Sequence, residues 1–162
     1  AGVAFAAGRM QGRGAHWGPV DAVRRQHQRE AYAALLAALS DYVGATYWDM
    51  VTARATQDRV MAGLTPDDGP VRVMAFWHVM SIPLHPIHRA CGVVYLEGPD
   101  GIADAAVVAL NAANIVYQAA VRGATNPEEV QTVNAYRDAH DHLAEVTNGF
   151  AGMARTQLNK RW

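Results

Sequence analysis

The sequence predicts an all-α fold: a helical bundle of about four helices, with a long first helix, a long last helix and a proline-broken second unit. Three observations carry that prediction. Alanine fills 31 of the 162 positions, and it is the strongest helix former while leaving little side chain to hold neighbouring helices apart. Apolar residues recur at three- and four-residue steps near both ends of the chain, the period of a helix with one buried face. Helix-starting residues stand at Gly18-Pro19 and Asn126-Pro127, with glycine- and proline-rich turns between them. A chain of this length buries roughly two-thirds of its unfolded surface. One domain over residues 18–162 is therefore expected, behind a basic tail over residues 1–17.

The first helix is expected to start at Gly18-Pro19, with proline at the first helical position and Asp21 where the helix dipole favours an acid. Val20, Val23, His27, Ala31, Leu35, Leu39, Tyr42 and Val43 form its apolar stripe, which Tyr32, Leu36, Tyr47, Met50 and Val51 widen. The period lasts to about Gly63. A break is expected near Gly44 or Thr52, because so long an uninterrupted helix is unusual. Thr65-Pro66-Asp67-Asp68-Gly69-Pro70 reads as a loop. The next two apolar runs, 71–82 and 91–96, suit a buried strand as well as a buried helix. Pro83 and Pro86 forbid one regular helix through both. Two helices over 70–82 and 86–97, meeting at a proline kink, are the favoured reading, with a two-stranded hairpin as the alternative.

Asp100 is placed to cap the next helix. That helix, 102–122, is rich in alanine and able to approach its neighbours closely, and Gly123 stands where a left-handed terminal residue belongs. Asn126-Pro127-Glu128-Glu129 reads as cap, first helical residue and capping-box acid. The helix it opens is expected to run to about Asn159. Its stripe of Val133, Tyr136, His140, Leu143, Thr147, Phe150 and Ala154 has strict 3-4 spacing, suited to packing along the first helix.

Charge is unevenly spread. The net charge is −1, yet residues 1–29 carry five arginines against Asp21, and the remainder holds 14 acids against 9 bases. The balance excludes a disordered chain, a collagen-like repeat, a disulfide scaffold and a generally basic nucleic-acid binder, so no nucleic-acid partner is expected. The single cysteine, Cys91, permits no internal disulfide, which favours a reducing, cytoplasmic compartment. The apolar start, Ala1-Gly2-Val3-Ala4-Phe5-Ala6-Ala7-Gly8, is far short of the ~20 residues that span a bilayer. With the arginines behind it, it reads either as the end of a membrane anchor with a cytoplasmic flank, giving membrane contact through residues 1–17, or as a plain tail.

Seven histidines are the titratable excess. His78, His85 and His88 would share a face in a continuous helix and are the candidate ligands for a transition metal. Such a site needs three or four convergent donors, and the nearest carboxylate, Glu97, lies past the segment. His27 and His140 fall on apolar stripes and, with Trp77, are the candidate small-ligand residues. The structural expectation for His27 and His140 is a core histidine hydrogen-bonded across the bundle, to Tyr32, Tyr136 or Asp141, with a His27–His140 ligand pair between the first and last helices as the alternative. Cys91 sits in an apolar run, where a buried and inert thiol is expected despite Arg89 and His88 beside it. A Walker lysine and a Gly-x-Ser-x-Gly elbow are both absent, and the serines are Ser40 and Ser81 alone. No catalytic residue is assigned and no cofactor is expected.

The run Arg24-Arg25-Gln26-His27-Gln28-Arg29-Glu30-Ala31-Tyr32-Ala33-Ala34-Leu35-Leu36-Ala37-Ala38 resembles a basic-helix pattern of actinobacterial (Streptomyces-type) helical proteins that carry an N-terminal membrane anchor. Val94-Tyr95-Leu96-Glu97-Gly98-Pro99, followed by Ile102-Ala103-Asp104-Ala105-Ala106, is similar to a second element of that group. The likeness spans residues 1–60 and 93–122. It implies a short anchor and a cytosolic helical domain, and it carries over no reaction; the histidine-rich 76–90 stretch departs from the pattern. The leading expectation is a non-enzymatic interaction or oligomerisation domain at the inner membrane face, with a protein partner or a second copy. A metal- or small-ligand-binding bundle, enzymatic or not, is the alternative.

Overall fold

The computed structural model describes residues 4–126 and 130–160, the side chains of residues 4–20 and 130 excepted. The described residues form six helices and no strand: α1 (Ala4–Ala45), α2 (Trp48–Met61), α3 (Asp68–Ser81), α4 (His85–Glu97), α5 (Asp100–Thr125) and α6 (Val130–Asn159). The chain is thus all-α, and the strand alternative for 71–96 is excluded. The burial pattern gives the reason. Val71, Ala75, Phe76 and Val79 are buried in α3, and Ile87, Cys91 and Val94 in α4, at helical spacing with solvent-facing residues between.

Four helices close a ring: α1 packs on α4 and α6, and α5 packs on the same two. The direction of α6 follows from its contacts. The ring of Phe150 meets Tyr32 edge to face at 6.2 Å, His140 bonds Val43, and Tyr136 bonds Thr46. Residue numbers fall along α6 as they rise along α1, so the two are antiparallel. The hairpin α2–α3 is inserted between α1 and α4 and rests on α5 through α3. The helix count therefore exceeds the four expected, because α2–α3 is added to a four-helix ring. The proline-broken unit is also corrected. Pro83 lies in the 82–84 connector and Pro86 in the first turn of α4, where a missing N–H costs nothing. From that connector α3 departs to α2 and α5, and α4 to α1 and α5, so they are separate helices with different partners and not one kinked unit.

Helix α1 runs through Gly18-Pro19 instead of starting there, and it ends inside the expected break window. Among its described side chains the buried stripe runs through Ala31, Tyr32, Leu35, Leu39 and Tyr42, whereas Val23 and His27 are exposed. The antiparallel register accounts for Val23 and not for His27. Asn159, the last residue of α6, lies nine positions beyond Phe150 and so falls opposite α1 near residue 23. Near the same end, the Gln28 amide donates to the Glu97 carbonyl at 2.7 Å, satisfying one orphan acceptor at the end of α4.

Helix α5 is the centre of the molecule, packed on α3, α4 and α6. Its inward face is mostly alanine, with Ala106, Ala109, Ala113 and Ala120 fully buried, which lets the neighbouring helices come close. By length and composition it is the one described helix apolar enough to cross a membrane. Two end signals differ from expectation. Asp100 is the first residue of α5 behind the N-cap Pro99 and makes no side-chain cap, though its charge still suits the dipole. Gly123 lies within α5 without a positive φ. The left-handed glycine is Gly63 (φ 72), which closes α2 with Gly63 N–H donating to Val60 and Leu64 N–H to Arg59 at 3.0 and 2.9 Å, the paired bonds of a Schellman cap. The capping-box residues 127–129 lie outside the described residues. The α6 stripe is as expected: Tyr136, Leu143 and Phe150 are fully buried, and His140, Thr147 and Ala154 are buried with them.

Candidate functional site

The buried histidine is spent on the backbone. Where α1 stops, its last carbonyls have no partner within the helix, and α6 supplies two. His140 Nε2 lies 2.9 Å from the Val43 carbonyl, and the Tyr136 hydroxyl donates to the Thr46 carbonyl. The Thr46 hydroxyl turns back onto the Tyr42 carbonyl at 2.7 Å. Because a carbonyl oxygen can only accept, Nε2 carries the hydrogen in this contact and donates it to Val43. The expected bond to Tyr32, Tyr136 or Asp141 is replaced by this contact, because α1 ends within reach of His140.

Aromatic rings pack around the junction. Trp48 lies 5.0 Å from Phe76 and 5.4 Å from Tyr136 between centroids, and Tyr47 lies 5.9 Å from His140. The depression above them, about 220 Å³, is lined by Tyr47, Asp49, Tyr136, Arg137, His140 and Asp141, together with Trp48. Burial pushes the Tyr136 and Tyr42 hydroxyls well above the ordinary tyrosine range; Tyr42 raises Tyr136 further, and Tyr117 raises Tyr42. The Cys91 thiol is pushed up by burial as well, which holds it as the inert thiol and not as a nucleophile.

The other candidates are scattered. His27 is exposed on α1. Its partner in a His27–His140 pair sits beside Val43, sixteen residues or about 24 Å further along α1, so the pair does not form. Trp77 is 61% exposed on α3 and stands apart from both histidines. His78 Nε2 approaches Asp58 Oδ2 at 2.9 Å, off the hydrogen-bond direction, tying α3 to α2. His85 and His88 are exposed on α4. No group of three histidine, cysteine or carboxylate side chains gathers among the described residues, so His78, His85 and His88 do not form a set. The break at residues 82–84 that separates α3 from α4 is the reason.

A larger concavity lies elsewhere, on the outer side of α5 and α6. It has a volume of about 680 Å³. Ala119, Ala135 and Ala139 are its small residues and Ile115 its large apolar one; Asn111, Asn114, Gln118 and Gln131 supply amides, with Arg122 and Thr132 completing the lining. These residues recur at three- and four-residue steps on both helices, so the groove runs along the helix pair. Sequence reasoning passed over it, because isolated amides on a helix read as a solvated face. The signal was present in the 4-3-4 spacing of Asn111, Ile115, Gln118 and Arg122, all but Gln118 and Arg122 fully solvent-facing and those two half-buried.

No protein-family model, no curated protein and no solved structure matches this chain.

Proposed function

We propose that this chain is a non-enzymatic helical interaction domain and that the groove between α5 and α6 receives a helix. The observation that carries the reading is the groove itself: alanines that let a helix backbone approach, an apolar Ile115, and amides that can satisfy a polar partner face. The use of His140 to cap α1 supports the same reading, since the buried histidine serves the fold. A photo-crosslinking residue at Gln118, in the full chain expressed in cells, is expected to give a discrete protein adduct that Ala135→Arg abolishes. Loss of no adduct on Ala135→Arg, or an identical adduct from a probe at Met50 on α2, would sink the idea.

A cytoplasmic position at the inner membrane face is the second part of the proposal. Its support is the exposed arginine run Arg24, Arg25 and Arg29 at the end of the bundle where α1 outruns α6, continuing the basic character of residues 1–17. Anionic lipid attracts such segments by about 1 kcal/mol per basic residue. The full chain is expected to float with phosphatidylglycerol vesicles at low salt and to float less when residues 1–17 are removed. Equal flotation of both chains, or of neither, would refute the tether.

A further inference from the structure

We infer that the helix received by the groove is α5 of a second copy of this chain, laid antiparallel about a twofold axis near residue 113. The inference rests on the groove being a helix-docking surface and names its occupant. The exposed stripe of α5 steps 104, 108, 111, 115, 118, 122, the seam spacing of a paired helix. Val108 and Ile115 are each 51% exposed on it. Its ends carry opposite charges, Asp104 and Arg122, and neither has an ion-pair partner among the described residues. Centring the pairing on residue 113 makes every facing pair sum to 226. Asp104 then meets Arg122 of the second copy at both ends, Val108 meets Gln118, and Asn111 meets Ile115.

Charge complementarity selects both the occupant and its direction. A parallel pairing would set Asp104 on Asp104 and Arg122 on Arg122, with like charges at both ends, whereas the antiparallel one satisfies all four groups with two copies of one sequence. Isologous closure of this kind needs a self-complementary patch, and this stripe is one. Amides within the seam lower affinity while fixing register, so the product is a reversible dimer.

Sedimentation velocity of the purified full chain tests this. A monomer–dimer equilibrium is expected in the micromolar-to-millimolar range. Arg122→Asp alone and Asp104→Arg alone are each expected to weaken it at least about tenfold, and the double exchange Asp104→Arg/Arg122→Asp to restore it. Circular dichroism confirms that each variant is folded. A dimer indifferent to the single reversals, or not recovered by the double exchange, overturns the pairing. A monomer at all concentrations also overturns it. In that case a crosslink from Gln118 to a different protein would leave the interaction reading standing, which separates failure of this inference from failure of the function on which it rests.

Discussion

Gly123 shows how one hydrogen atom in place of a side chain sets the packing of three helices. The tip of the Phe76 ring lies against it: a Cβ at that position would stand 2.3 Å from two ring atoms and 2.6 Å from a third. The ring has nowhere to retreat, because Trp48 and Tyr136 hold it at 5.0 and 5.7 Å. Gly123→Ala is therefore expected to destabilise the fold by about 1–3 kcal/mol through overpacking. Gly149→Ala on α6 is the matched control. A Cβ there meets nothing within 4 Å, and replacing a mid-helix glycine gains about 0.5–1 kcal/mol. Urea unfolding of the two variants measures both, and equal effects would refute the account. The sequence shows Gly123 as a plausible helix terminator because it follows an alanine run, and nothing local reveals the ring that arrives from α3. His140 teaches the same lesson. Its place on a buried stripe is readable from spacing, but its partner is a carbonyl about a hundred residues away, set by where α1 stops.

At the scale of elements, the α1–α6 antiparallel pair is held where α1 ends by tyrosines that must stay neutral. Tyr42 and Tyr136 are buried and their hydroxyl pKa values are raised above the ordinary value of 10.0, first by burial and then by neighbouring tyrosines. The sign follows from proton counting. Above pH 10 the unfolded chain releases these protons and the folded chain keeps them, so the unfolded state gains. The stabilisation is complete below pH 10 and is lost as pH rises toward the folded values. Each pH unit in that window costs about 1.4 kcal/mol per tyrosine. Stability is thus expected to fall steeply above pH 10, and Tyr42→Phe to flatten the slope; a slope unchanged by that variant would contradict the assignment. Tyr136 is a less clean probe, because removing its hydroxyl leaves the Thr46 carbonyl unpaired. Periodicity makes the long helices legible, including most of the α6 stripe and the interruption of α1. It cannot separate strand from helix in 71–82 and 91–96, where apolar density masks the period. It also cannot tell that Pro83 divides two helices with different neighbours, since that depends on α5 offering a face to each.

For the whole molecule, the ring α1–α4–α5–α6 fixes which part of α1 belongs to the bundle. Tyr32 opposes Phe150, and α6 ends nine residues later, so α6 has no residue to place against α1 before about residue 23. Residues 21–23 agree, since every one of them is exposed. The stripe read from the sequence carries Val23 to this limit, because periodicity records a helix face without recording where its neighbour stops. The overhang from Ala4 to residue 22 is 19 residues, about 28 Å of helix at 1.5 Å per residue. Among the described side chains the buried apolar ones start at Ala31, each fully buried large one contributing about 1.5–3 kcal/mol. A chain starting at residue 21 is therefore expected to melt within about 2 °C of the full chain, because a shift of that size corresponds to less than about 1 kcal/mol for a domain of this length. Its α5-mediated dimerisation is expected to persist, since Asp104 to Arg122 lie on a different helix and outside the removed segment. Calorimetry and sedimentation of the shortened chain decide both points. A large drop in melting temperature would show that the overhang is part of the fold, and loss of the dimer with stability intact would move the contact between copies from α5 to the first helix.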